Sequence, residues 1–350
     1  MSRTAPVFFL LLLFFMTQAL TQAASYSAAN ATVDGIEVVR LVDSAHSTQV
    51  SIVPSLGNIA YEMNVNGKNA FWFPFASLQD FKAKPVLSGN PFLAPWANRL
   101  DQNAFYAGGK KYVLNPDLAN IRRDNNGKPI HGLLLFSPYW RVTALEADGS
   151  SAWATSRLEF WKYPELMAQF PFAHTIEMTY RLREGVLEVK TRIQNLSASS
   201  MPVAIGFHPY FRLHDAPRDE WKVHVAARDH LMLSNLLIPT GERRPVEFRD
   251  PQPLAGTQFD DVFSNLIRDG GGQAHFSVEG HREKLSVLYG PKYTVAVVYA
   301  PRGKEFICFE PMSGITNAFN LAQSGVYKEL QTVPAGGAWA ESYWIAPSGF

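Results

Sequence analysis

The sequence predicts an all-β chain folded as one large antiparallel β-sandwich. Three observations carry this. Short runs of alternating apolar and polar residues recur along the chain, glycine-containing turns separate them, and helical periodicity is nearly absent. No composition shift, long linker or fixed-period repeat divides residues 25–350, so a single domain over 24–350 is expected. Two large sheets packed face to face, with long loops at their ends or across one concave face, suit this pattern.

Taken in order, the chain opens with Met1-Ser2-Arg3, an apolar run from Val7 to Met16, and a polar stretch ending Thr21-Gln22-Ala23-Ala24. This is signal-peptide architecture, with cleavage expected after Ala23 and an exported product, periplasmic or extracellular. The run is too short to span a bilayer as a helix, and no membrane anchor is expected once 1–23 is removed. Ala60 to Val65 before Asn66-Gly67, and Phe105-Tyr106 before Gly108-Gly109, read as β-hairpins. After Glu184-Gly185, Leu187, Val189 and Ile193 face one way while Glu188, Lys190 and Arg192 face the other, a strand with one wet face. Further strands are expected over Trp221–Ala226, Lys284–Leu288, Tyr293–Tyr299 and the apolar run Glu305–Phe309. Leu78–Pro95, Asn115–Pro129 and Arg249–Gln258 are rich in Pro, Gly, Asn or Asp and read as the long loops on which function usually sits.

Composition narrows the function. The chain has 32 basic and 31 acidic side chains and a formal charge of +1, so no global field recruits nucleic acid or an anionic membrane. A small neutral ligand fits better, and aromatic residues at 13% supply faces for a core and for stacking on a sugar ring. The single cysteine, Cys308, allows no internal disulfide, so a large core has to carry stability. The chain contains no HExxH, CxxC, Asp-rich calcium loop, GxSxG or P-loop, and no cofactor is expected. The chemistry indicated is proton transfer by ordinary side chains.

Five groups stand in unusual surroundings. His208, in Gly206-Phe207-His208-Pro209-Tyr210-Phe211, titrates near neutrality when unperturbed, and Pro209 biases it toward extended backbone. Gly206 points to close backbone approach or a positive φ. Arg99, in an apolar stretch, needs acceptors from a hydroxyl-rich ligand or from a carboxylate. His131 precedes Gly132 where a polar loop gives way to Leu133-Leu134-Leu135-Phe136. Asp260 and Asp261 lie between Phe259 and Val262-Phe263, where a turn or cap is the plainer reading. Glu310 ends the apolar run Phe306-Ile307-Cys308-Phe309, where desolvation raises a carboxyl toward values useful for a base near neutrality. It is the best base candidate, with a salt bridge to an arginine as the plainer alternative.

In order, Asn98-Arg99, His131-Gly132, Gly206-Phe207-His208-Pro209-Tyr210-Phe211, Phe259-Asp260-Asp261-Val262-Phe263 and Phe309-Glu310 resemble the motif series of the aldose 1-epimerases, or galactose mutarotases. Leu330 to Trp339, with Pro334-Ala335-Gly336-Gly337, resembles the family's closing strand and turn. The resemblance implies the galactose mutarotase-like supersandwich with an open cleft. It implies Glu310 as general base, His208 as general acid and His131 as a second histidine near the ring oxygen. Asn98, Arg99 and Asp260 would then bind sugar hydroxyls. The implied reaction interconverts the α and β anomers of a free aldohexose, with a small-molecule sugar as the partner.

Two positions depart from the free-sugar pattern. Pro311-Met312 follows the glutamate and Arg212 follows His-Pro-Tyr-Phe, and the Glu-Pro pairing is similar to the hexose-6-phosphate mutarotases. The surroundings of Arg99 resemble the free-sugar members, and sugar phosphates are scarce outside the cytoplasm. A free aldose is therefore the expectation. The alternatives are a hexose-6-phosphate mutarotase, an exported sugar-binding sandwich without turnover, and a polysaccharide-processing enzyme on a similar sandwich.

Overall fold

The computed structural model describes Met1 and residues 25–350. The leader expected over 1–23 lies, but for Met1, outside the described residues. The rest is strand-rich and antiparallel, as the alternation required. An N-terminal meander of five strands runs from Tyr26–Val33 to Lys68–Asn69 in sequence order. A nine-stranded sheet centres on Lys284–Tyr289, Ala338–Ser348, Val186–Asn195 and His174–Arg183. An eight-stranded sheet runs Pro239–Pro245, Ala227–Leu233, Phe259–Leu266, Val295–Ala300, Ile307–Met312, then Gly206–Phe207 and Phe92–Leu93, with Tyr210–Phe211 also paired to Ile307–Met312.

The two large sheets share one core. Phe309 of the eight-stranded sheet meets Phe276 of the nine-stranded sheet with ring centroids 6.2 Å apart, and Phe207 meets Tyr343 at 4.8 Å. A polar group that enters this layer, the Tyr343 hydroxyl, donates to Asn90 Oδ1 at 2.7 Å.

The hairpins follow from turn chemistry. Asn66-Gly67, Gly108-Gly109 and Glu184-Gly185 all have positive φ at both residues, the conformation that matches the twist of a two-residue hairpin. The strand after Glu184-Gly185 runs Val186–Asn195, with Leu187, Val189 and Ile193 buried and Lys190 and Arg192 exposed. Strand bounds differ elsewhere. Trp221 is a buried anchor before the strand Lys222–His224, its indole N–H donating to the Ala216 carbonyl. The expected loop Leu78–Pro95 begins with a short helix, Leu78–Ala83, because Ser77 accepts the Asp80 N–H as an N-cap.

The strand expected to stop before Glu310 instead spans Ile307–Met312. Glu310 is thus interior to a strand, and this decides the site. Along that strand Phe309 points into the core, so Glu310, by the two-residue alternation of side chains, points to the opposite face.

Candidate active site

Register explains why Glu310 and His208 meet. Gly206 pairs with Met312 and Tyr210 with Cys308, so stepping two residues inward from either end sets His208 directly opposite Glu310. Pro209 and Pro311 have no N–H to give, which breaks the ladder between those two ends while leaving the alignment intact. Directly opposed residues share a face. His208 Nε2 accordingly lies 3.2 Å from Glu310 Oε1, both side chains being buried. Gly206 serves close approach rather than positive φ: a Cβ there would sit 2.9 Å from Met312 Cγ and 3.0 Å from the Pro311 carbonyl oxygen.

Aromatic rings hold the imidazole. Tyr210 stacks on His208 at 4.6 Å with an interplanar angle of 5°, and Tyr299 meets it edge-on at 6.1 Å. His131 faces His208 at 5.5 Å in a perpendicular arrangement. It is brought there by a turn in which both His131 and Gly132 have positive φ, 63° and 67°. The turn is pressed against Ala94, whose carbonyl oxygen would lie 2.1 Å from a Cβ on Gly132, so only glycine fits. The His131 N–H donates to the carbonyl of Asn98, itself at φ 56°, at 2.9 Å. Asn and His are among the residue types that adopt left-handed backbone most readily, which suits them to these two positions.

Arg99 is held from two sides. Its Nε donates to Asp124 Oδ2 at 2.8 Å and its Nη1 to Asn98 Oδ1 at 2.9 Å. Asp124 is fixed in turn, its Oδ1 accepting the backbone N–H groups of Asn126 and Lys128. Asp260 lies across the strand pair from Tyr299. Asp261 points the other way, pairs with His230 at 2.8 Å and accepts the Asp260 N–H at 3.1 Å. Neither aspartate sits in a turn or cap; both are within the strand Phe259–Leu266.

All six residues singled out by sequence, Asn98, Arg99, His131, His208, Asp260 and Glu310, line one cavity of about 480 Å³. Arg122, Asp124, Tyr299 and Leu237 line it too and were not singled out. Asp124 had a legible signal, the turn-forming run Asp124-Asn125-Asn126-Gly127. Arg122 lies within the expected loop Asn115–Pro129 with no motif to mark it, and Leu237 enters from a hairpin turn at φ 57°, which its residue type gives no reason to expect.

Burial sets the proton inventory. Desolvation pushes the Glu310 carboxyl well above its usual range, with the nearby Asp260 charge adding to the rise and the Arg99 guanidinium opposing it. Desolvation pushes His208 down, with Arg99 and Arg122 adding to the fall. The same cause depresses His131, followed by His208 and the two arginines, and burial raises Asp260. Both shifts act in the same sense on the His208–Glu310 contact, favouring a neutral bond from carboxyl to imidazole over an ion pair. Three buried atoms here, Glu310 Oε2 and the Nδ1 atoms of His131 and His208, have no hydrogen-bond partner among the described residues.

A raised carboxyl has a stability signature. The unfolded glutamate loses its proton near its ordinary value of 4.5 while the folded one keeps it, so the folded state binds more protons above that pH. The stability contributed is complete below pH 4.5 and is lost as pH rises through the folded value. Glu310→Gln does not titrate. Its melting temperature relative to wild type should therefore climb between pH 4 and pH 8; a flat or falling difference contradicts the raised carboxyl.

Comparison with known proteins shows the family and the fold. The aldose 1-epimerase family model matches residues 39–346. The chain belongs to the aldose 1-epimerase family. The galactose mutarotase of Homo sapiens is 27% identical over 278 residues, covering 74% of each chain. That of Mus musculus is 26% identical over 252 residues, covering 69% of this chain and 64% of the mouse protein. Among solved structures, a galactose mutarotase-like protein from Clostridium acetobutylicum superposes with a TM-score of 0.82 at 21% identity, covering 93% of this chain and 99% of its own. Galactose 1-epimerase from Lactobacillus acidophilus gives 0.71 at 15% identity, covering 93% and 100%. At these identities the structures speak for the fold, the expected mutarotase-like antiparallel sandwich.

Proposed function

We propose that the protein is a mutarotase acting on a free aldose, with Glu310 and His208 as its acid–base pair. The observation that carries this is the in-register His208–Glu310 contact at 3.2 Å on the floor of the cavity. Anomer interconversion removes the proton from the C1 hydroxyl and adds one to the ring oxygen as the C1–O5 bond breaks. The open aldehyde rotates about C1–C2, and the ring oxygen re-adds to the other face of the carbonyl with the proton transfers reversed. One proton is taken and one is given in each direction, so two groups that share a single proton suffice.

The neutral resting pair and the Glu⁻/His⁺ form differ only in where that proton sits. Arg99 attracts the carboxylate and repels the imidazolium; in the second form Glu310 is the base toward the C1 hydroxyl and His208 the acid toward the ring oxygen, with His131 beside it. In the reverse direction the roles exchange. Polarimetry on freshly dissolved α-D-glucose and α-D-galactose tests the proposal: rotation should relax faster than in buffer alone, in proportion to protein. Binding of either sugar without faster relaxation would leave a sugar-binding sandwich.

Arg99 and Asp260, which line the cavity, are the hydroxyl-binding groups of this proposal, and the bond from Arg99 Nε to Asp124 supports Asp124 as the residue that positions Arg99. Asp124→Asn weakens a charge-assisted bond and leaves the catalytic pair untouched, so KM should rise about threefold to tenfold with a smaller change in kcat. A fall in kcat at constant KM would instead tie Arg99 to the transition state. Export is part of the same proposal and rests on the leader sequence; mass spectrometry should find the mature chain starting at Ala24, and an intact Met1 on most of the protein would overturn it.

A further inference from the structure

The strand order sets the cavity groups out in a row. Asp260, Tyr299, Glu310 and His208 follow one another across the eight-stranded sheet in a staggered row: Asp260 is opposite Tyr299, and Glu310, one two-residue step along its strand from the Cys308 that pairs with Tyr299, is opposite His208 in the gap between two short strands. His131 follows, 5.5 Å beyond His208. Arg122 comes after it: the Ile130 N–H donates to the Arg122 carbonyl at 2.9 Å, which sets Arg122 alongside the residue before His131, and Arg122 lines the cavity.

Arg122 differs from its neighbours in having nothing to hold. Arg99 is tied to Asp124 and Asn98, and Arg123 to Asn103 and the Gly127 carbonyl. The Arg122 guanidinium makes no hydrogen bond or ion pair with any described residue. The carboxyl groups lining the cavity are Asp124, which already faces Arg99, Asp260 at the far end of the row, and the buried Glu310.

The covalent structure of a pyranose decides which part of the substrate reaches Arg122. With the C1 hydroxyl at Glu310 and the ring oxygen at the two histidines, C2 and C3 run back toward Tyr299 and Asp260. The ring oxygen's other neighbour is C5, and C5 carries C6, so C6 lies beyond the histidines.

We propose that Arg122 recognises a carboxylate on C6, which makes hexuronates the preferred aldoses of this cavity; the inference rests on the mutarotase reading above. A planar guanidinium matches a carboxylate in a two-point fork. With Arg99 and Arg123 both committed, the Arg122 guanidinium offers one positive charge, which a carboxylate matches and a phosphate dianion exceeds. The same fork accepts either group, so the 6-phosphate is the rival that the test includes.

The test is kcat/KM for mutarotation of α-D-galacturonate, α-D-galactose and galactose 6-phosphate by wild type and Arg122→Gln, at pH 7.5 and low salt. Wild type should favour galacturonate over galactose by about tenfold or more, the range of a hydrogen bond to a charged group, and added salt should shrink that ratio. In Arg122→Gln the ratio should collapse toward one. Galactose used as well as galacturonate, a ratio unchanged by the substitution, or preference for the 6-phosphate would overturn this inference and leave the mutarotase reading standing. No rate above buffer with any of the three sugars would overturn both.

Discussion

Glu310→Gln should lower kcat for mutarotation by about 10²-fold or more, the typical contribution of a positioned proton-transfer group. Gln keeps the shape and can still donate to His208 Nε2, so the strand Ile307–Met312 and the cavity floor are retained. What it cannot do is take the proton from the C1 hydroxyl. The same substitution relieves a buried group of its tendency to ionise, so the variant should be the more stable protein at pH 8 while being the poorer catalyst. That opposition separates a functional carboxyl from a structural one, because a structural glutamate lost from the core would lower stability and activity together. Initial rates across pH 5 to 9, with the buffer-catalysed rate subtracted and folding checked by circular dichroism, give the answer. Near wild-type rates would remove Glu310 from the mechanism.

His208→Asn should cost a similar factor, since the proton delivered to the ring oxygen then lacks its carrier. The double variant is the sharper test. The two side chains lie 3.2 Å apart and, on the proposed mechanism, share one proton and serve one transition state. Once either is gone the relay is broken, and removing the other should add little. The double variant should therefore lose far less than the product of the two single losses. Multiplying losses would mean independent roles, and the shared-proton account would fall.

How much of this was legible before the structure depends on the range of the interaction. The hairpin at Glu184-Gly185 and the wet and dry faces of Val186–Asn195 are local matters of backbone φ and two-residue alternation, and both are as the sequence predicts. Glu310 and His208 were each visible as polar groups in apolar settings. Their direct opposition was not, because it depends on a register set by pairs on either side of two prolines. The end of the Glu310 strand was misplaced for a related reason: Pro311 is a stop signal in most strands, and here it is accommodated where the neighbouring strand is itself interrupted at Pro209.

Asp124 and Arg122 were harder still. A cluster such as Arg122-Arg123-Asp124-Asn125-Asn126 reads as a solvated loop. Only the docking of that loop beside Arg99 and His131 turns one of its carboxylates into a clamp and leaves one of its arginines free. The helix Leu78–Ala83 was missed inside an expected loop, although Ser77 followed three residues later by Asp80 is a capping signal.

The central claim is that the cavity exchanges anomers rather than merely holding a sugar. Exchange spectroscopy at anomeric equilibrium measures this most directly: one anomeric proton signal of galactose or galacturonate is saturated, and transfer to the other is followed in the presence of wild type and of Glu310→Gln at equal concentration. The account predicts transfer well above the protein-free rate with wild type, linear in protein, and near the protein-free rate with the variant. Equal transfer with both proteins, or none above the protein-free rate with wild type, would contradict it.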